Sequence, residues 1–176
     1  YGVDGGLGAQ LDITIPGVDW NTGSLGHSLG ICAGIALASK IDKKEYYAYT
    51  LVGDAECAEG SIWEAINFAA EHKLNNLICI IDRNRLSVTD VLDDDSFFKN
   101  YPKVLNLLGW ACFEINGHSF PAILNTLQKS KETDRPVMVI ANTIKGRGVS
   151  FMENVAEWHH GNLSEEQLEI ARGELV

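Results

Sequence analysis

The sequence predicts an α/β fold: one mostly parallel sheet flanked by helices. Three observations lead there. Short apolar strand-like runs alternate with helical patterns along most of the chain. The run Leu77-Ile78-Cys79-Ile80-Ile81 is apolar without interruption, as in a strand covered on both faces. The 176 residues suit a single domain, here taken as 1–176.

Each element has its own reason. Residues 1–24 are rich in Gly, Asp and Thr, with turns expected at Asp4-Gly5-Gly6 and Pro16-Gly17. Residues 25–40 are dominated by Gly, Ala, Leu and Ile. They predict a buried helix whose small residues permit close packing, capped by Thr22 or Ser24. A strand over 46–52 ends at Gly53-Asp54. A helix over 61–72 places Ile62, Ala65, Ile66 and Ala69 on one face. The strand 77–81 ends at Asp82. A helix over 97–108 with Pro102 near its start, a strand over 110–115, a helix over 122–131 and a strand over 136–141 follow. The last helix, 164–173, opens with Ser164 and Gln167 at capping-box spacing.

Composition narrows the function. With 14 Lys and Arg against 24 Asp and Glu, the net charge of −10 disfavours nucleic acid and anionic membrane surfaces as partners. No apolar run approaches the ~20 residues that span a bilayer, and no signal peptide opens the sequence, so a cytoplasmic location is expected. Tyr1-Gly2-Val3-Asp4 reads as mid-protein sequence, as if a natural N-terminal segment preceded it. The four cysteines, Cys32, Cys57, Cys79 and Cys112, form no C-x-x-C pair and read as small buried hydrophobes. Asp93-Asp94-Asp95 reads as a solvated loop or helix cap.

Ligands in parallel sheets bind beyond the carboxyl ends of strands, which directs attention to the polar residues there. Asp54 and Asn84 both follow strands and offer hard oxygen ligands suited to Mg²⁺ or Ca²⁺. Asp and Asn are also ordinary turn residues, so the residues alone leave both readings open.

The stretch Gly53-Asp54-Ala55-Glu56-Cys57-Ala58-Glu59-Gly60, with Asp82-Arg83-Asn84-Arg85-Leu86, resembles the thiamine diphosphate motif: Gly-Asp-Gly with a downstream Asn, here 30 positions from the Asp. Ser61-Ile62-Trp63-Glu64-Ala65 and Lys73-Leu74-Asn75-Asn76-Leu77 are similar to transketolases specifically. The resemblance covers nearly the whole chain and implies the diphosphate-binding (PP-type) domain of that family. It implies Asp54, the Asn84 side chain and the Leu86 carbonyl as ligands of Mg²⁺ or Ca²⁺, with diphosphate oxygens completing the shell. Gly53 would allow close approach of the diphosphate, with Ala55 where the family has glycine. An alanine there is strained only if its φ is positive.

The loop Thr22-Gly23-Ser24-Leu25-Gly26-His27 resembles the family's cofactor-contacting segment, with Gly23 and Leu25 touching thiamine diphosphate. The alternative is a helix start that needs small residues. Glu59 matches an acidic residue that links the two active sites of a dimer and lies near the cofactor; alternatively it favours the helix dipole. Thr143-Ile144-Lys145-Gly146-Arg147-Gly148 and Trp158-His159-His160-Gly161 resemble Lys-Gly-x-Gly and Trp-His-Gly segments. They put Lys145 and His160 against cofactor and substrate carbonyl, with His160 a proton carrier. His27 and His118 read as structural.

Two departures stand out. Gln10 occupies the position of a substrate-binding His, and an amide hydrogen-bonds without carrying charge. The family's Ser-Lys-Gly-His segment would lie upstream of Tyr1 and is not in this sequence, whether by evolution or by truncation. Arg83, Arg85 and Arg147 are the arginines near enough to meet a sugar phosphate. Full transketolases also carry a pyrimidine-binding domain, for which 176 residues leave no room. The resemblance therefore implies a partner, the C-terminal transketolase half, with two copies of each chain. The expected reaction is transfer of a two-carbon ketol unit from a ketose phosphate to an aldose. The alternatives are a 2-oxo acid decarboxylation with acyl or acyl-anion transfer, and a non-catalytic cofactor-binding subunit.

Overall fold

The computed structural model describes residues 10–87 and 99–175. Four strands form one sheet: β1 (Ala48–Gly53), β2 (Leu77–Arg83), β3 (Ala111–Asn116) and β4 (Val137–Asn142), in the order β1-β2-β4-β3. All pairings are parallel, with Gly53 opposite Asp82 and Asp82 opposite Ala141. Parallel neighbours require crossovers, and helices supply them. The helices are α1 (Ser28–Ile41), α2 (Gly60–Glu71), α3 (Tyr101–Leu107), α4 (Phe120–Ser130) and α5 (Glu165–Glu174).

The central strands show why an unbroken apolar run was needed. Leu77, Cys79 and Ile81 of β2, with Met138 and Ile140 of β4, join α1, α2 and α3 in one core. The alternate residues Ile78, Val137 and Val139 form a second core, against which Ile80, Phe113 and Leu127 pack. Edge strand β1 behaves differently. Ala48, Thr50 and Val52 are buried, whereas Tyr49 and Leu51 are exposed. The buried Thr50 hydroxyl donates to Ser28 Oγ at 3.0 Å, which satisfies it.

Fully buried Trp110 donates its indole N–H to the Ile66 carbonyl at 2.9 Å and so ties β3 to α2. The Ser164–Gln167 capping box is present at the start of α5. The Pro16-Gly17 turn is present, closed by Val18 N–H on the Ile15 carbonyl.

Two expectations for α1 need correction. Neither Thr22 nor Ser24 caps it. Its N-cap is His27, with no side-chain cap bond, and the Thr22 hydroxyl donates to the Leu11 carbonyl, closing the 11–22 loop. Nor do its glycines mediate close packing within the chain: both are exposed, and a β-carbon at Gly30 would stand 3.9 Å from Ala65 while one at Gly34 would meet nothing within 4 Å. The close contacts come from Ala33 and Ala36. The expectations for Tyr1–Asp4, Asp4-Gly5-Gly6, Asp93-Asp94-Asp95 and the start of the 97–108 helix lie outside the described residues.

Candidate functional site

The parallel register brings the carboxyl ends of β1, β2 and β4 side by side, and the polar residues following them form one cluster. Asp54 follows β1 and starts the short 3-10 helix Ala55–Ala58. It is almost fully buried. One carboxylate oxygen accepts Ala55 N–H at 2.8 Å, and the other accepts Arg85 N–H, from the β2 side, at 2.6 Å. Burial pushes the Asp54 carboxyl above its ordinary value, assisted by the neighbouring charge of Asp82; the two N–H groups oppose that shift. By linkage, the contribution of Asp54 to stability is full below the unfolded value near 3.8 and is lost as pH rises through the higher folded value. Near neutral pH the buried charge therefore opposes folding of the bare chain, and a cation beside it would relieve that cost.

Asn84 is buried next to it. Its side-chain oxygen accepts Leu86 N–H at 3.1 Å, and its amide nitrogen donates to Asp82 at 3.3 Å. Asp82 also accepts the Thr143 hydroxyl from beyond β4. This orients the Asn84 amide, oxygen away from Asp82. Arg85, at φ +64°, turns the chain between Asn84 and buried Leu86. Among the described residues no three His, Cys, Asp or Glu side chains converge on a metal position. An ion here would depend on one carboxylate, amide and backbone oxygens, and oxygens brought by a ligand. That donor set fits Mg²⁺, which keeps few protein carboxylates and takes phosphate and water oxygens for the rest.

A cleft of about 500 Å³ adjoins this cluster, lined by Gln10, Gly23, Leu25, His27, Leu51 and Glu56 among others. Gly23 has φ +128°, and a β-carbon there would fall 2.3 Å from the Gln10 side-chain oxygen, so Gln10 lies flat against it. Glu56 joins cleft to cluster: its carboxylate accepts Gly26 N–H at 2.8 Å and Gly53 N–H at 3.0 Å. Ser61 donates to the Gly26 carbonyl at 2.9 Å. Ala55 carries no strain, because it sits in the 3-10 helix and is not among the positive-φ residues.

The structure thus gathers Gly53, Asp54, Ala55, Asn84 and Leu86 in one place, with Gln10, Gly23 and Leu25 around the adjoining cleft. Glu59 is the N-cap of α2, exposed, and packs against Gly26. Lys145 follows Thr143 on the loop beyond β4. His118 holds that loop by accepting Ile144 N–H at 2.7 Å, and the His27 ring donates to the Leu25 carbonyl at 2.9 Å. His160 is exposed after the 3-10 helix Ala156–His159, and among the described residues its ring makes no hydrogen bond to the cluster. Arg83 is committed to Glu114 at 3.1 Å and to Asn142.

Sequence reasoning gave no role to Glu56, Asp82 or Thr143. Glu56 and Asp82 lie inside the motif itself, so their proximity to Asp54 and Asn84 was a usable signal. Thr143 becomes a neighbour only through β2–β4 pairing. No helix among the described residues is long and apolar enough to cross a membrane.

Known proteins resemble this chain in sequence and fold. The family profile described as "Transketolase, thiamine diphosphate binding domain" matches residues 11–175. One of the subunits of an apulose-4-phosphate transketolase from Phocaeicola vulgatus is 41% identical over 166 residues, covering 94% of this chain and 59% of that protein. Human transketolase is 39% identical over 142 residues, 80% of this chain and 22% of the enzyme. The crystal structure of transketolase from Campylobacter jejuni superposes with a TM-score of 0.85 at 29% identity, covering 93% of this chain and 27% of that one. The chain spans less than two thirds of the length of these curated relatives. Fold, motif and family profile coincide over nearly all the described residues, and the chain belongs to the transketolase family as its thiamine diphosphate binding domain.

Proposed function

We propose that this chain is the diphosphate- and metal-binding half of a split transketolase-type transferase, moving a two-carbon ketol unit from a ketose phosphate to an aldose. The observation that carries the reading is the buried Asp54–Asn84–Leu86 cluster at the carboxyl ends of paired parallel strands. Support for a split enzyme comes from the apulose-4-phosphate transketolase relatives, whose names make them single subunits of a larger enzyme and whose matches cover more than nine tenths of the chain.

In this reading Asp54, Asn84 and the Leu86 carbonyl hold Mg²⁺, or Ca²⁺, against the diphosphate of thiamine diphosphate. The cation offsets diphosphate charge in a chain of net charge −10. Bound thiamine diphosphate supplies the carbanion-stabilising centre that carries the two-carbon unit. Gly23 and Leu25 form the wall it rests on, and Gly53, without a side chain, lets the backbone approach the diphosphate closely. Gln10 hydrogen-bonds a substrate hydroxyl or carbonyl without exchanging a proton. Lys145 and His160 face the cofactor and the substrate carbonyl, where His160 carries a proton. Glu59 is hydrogen-bonded across the boundary between protomers, linking two sites. A pyrimidine-binding half supplies the rest of the cofactor pocket, two copies with two of this chain, in the cytoplasm.

The test is calorimetry of thiamine diphosphate with Mg²⁺ on the complex copurified with its partner half. Asp54→Ala should abolish metal-dependent binding; unchanged binding would overturn the cofactor site. A donor screen follows, in which carbon dioxide release from a 2-oxo acid would sink the ketol-transfer reading.

A further inference from the structure

Gly26 is held more tightly than a loop glycine requires. Its N–H donates to Glu56 at 2.8 Å and its carbonyl accepts the Ser61 hydroxyl at 2.9 Å. Its φ is +78°, and a β-carbon would lie 2.6 Å from Ser61 Oγ and 2.7 Å from Glu59 Cβ. Both polar groups of one peptide segment are therefore docked on residues at or just before the start of α2. The other oxygen of Glu56 accepts Gly53 N–H at 3.0 Å, one residue before Asp54. A single half-buried carboxylate thus joins the loop carrying Gly23 and Leu25 to the strand end carrying Asp54, across 30 residues of sequence. Bonds to a charged acceptor are the stronger kind. Neither N–H is needed by a helix or by the strand ladder.

We infer that Glu56 is a positioning residue: it couples the Gly23–Leu25 wall of the cleft to the Asp54 cluster, so that one end of the cofactor site is set in register with the other. Among the described residues the Glu56 carboxylate accepts from those two backbone segments, and it acts through them. Ser61 supports the same junction from the carbonyl side. The inference rests on the cofactor reading above for its functional consequence, while the clamp itself does not.

Glu56→Gln nearly preserves shape but leaves one oxygen able to accept where two N–H groups need acceptors; Ser61→Ala loosens the junction from the other side. In the full chain without cofactor, Glu56→Gln should accelerate amide exchange about tenfold or more at Gly26 and Gly53. Exchange in the core strand, at Cys79 and Ile80, should stay at the wild-type rate. A general loss of stability would raise both. In the assembled complex with Mg²⁺, the same variant should weaken thiamine diphosphate binding about tenfold, and Ser61→Ala should weaken it less. Unchanged exchange at Gly26 would overturn the clamp. Accelerated exchange with wild-type cofactor affinity, in a complex where Asp54→Ala abolishes binding, would overturn the coupling. If Asp54→Ala leaves binding intact, the cofactor reading fails instead, and the exchange experiment still decides the clamp.

Discussion

Replacing Gly26 with alanine should cost more stability than its single added methyl suggests. The backbone at Gly26 has φ +78°, which costs an L-residue about 1–2 kcal/mol. The new methyl would also sit 2.6 Å from Ser61 Oγ and 2.7 Å from Glu59 Cβ. Ser61 cannot simply rotate away, because its hydroxyl is bound to the Gly26 carbonyl. Separating the loop from α2 adds about 1–3 kcal/mol of overpacking and lost hydrogen bonding. The total is about 2–5 kcal/mol, which for a chain of this size lowers the melting temperature by roughly 4–20 °C. Gly30 provides the control. It lies exposed inside α1, and a β-carbon there has 3.9 Å to its nearest neighbour. Gly30→Ala should therefore raise stability by about 0.5–1 kcal/mol through helix propensity. Thermal and urea melts followed by circular dichroism, without added metal or cofactor, measure both. A Gly26→Ala protein as stable as wild type, or a Gly30→Ala protein equally destabilised, would refute the reasoning.

Three further outcomes are expected. Asp82→Ala removes the acceptor that orients the Asn84 amide and binds Thr143; metal-dependent cofactor affinity of the complex, measured by calorimetry, should fall about tenfold or more, as for other residues supporting metal ligands. Burial pushes the Cys57 thiol up to about 12 and Cys79 well above its ordinary value, so iodoacetamide at pH 8 should leave both unmodified by mass spectrometry until the chain is unfolded. The Glu174 carboxyl is held below 4.5 by hydrogen bonds from the Ser150 hydroxyl and N–H. Its anchoring of α5 is thus complete above the unfolded value and fades as pH falls through the lower folded one; exchange of α5 amides should rise at that acid edge, and Ser150→Ala, which keeps only the backbone N–H, should shrink the pH step.

Much of the fold was legible because its signals are local. Every expected strand and helix within the described residues is present, displaced by one to three positions at most ends. The displacements have a cause: strand β2 runs on to Arg83 because pairing with β4 continues past the apolar run. The α1 cap was misread because Thr22 serves the 11–22 loop instead. In the site, the motif spacing identified Asp54 and Asn84, and the structure puts both beside one another with Leu86. Ala55 was open in the sequence because residue type does not state φ; in the 3-10 helix its φ is not positive and no strain arises. Lys145 and His160 have roles only in the proposed function, since those roles depend on groups beyond the chain's own contacts.

The sequence by itself determined the order of strands and helices, the charge, and a motif whose spacing marks two strand ends. These are properties of neighbours along the chain, written in periodicity and residue type. Only the tertiary structure decided which polar groups meet. Glu56 reaches Gly26 across 30 residues, Thr143 reaches Asp82 across 61, and His118 reaches Ile144 across 26. Each of those bonds exists because parallel register and helix docking bring groups distant along the chain within hydrogen-bonding reach. No local pattern encodes such a distance.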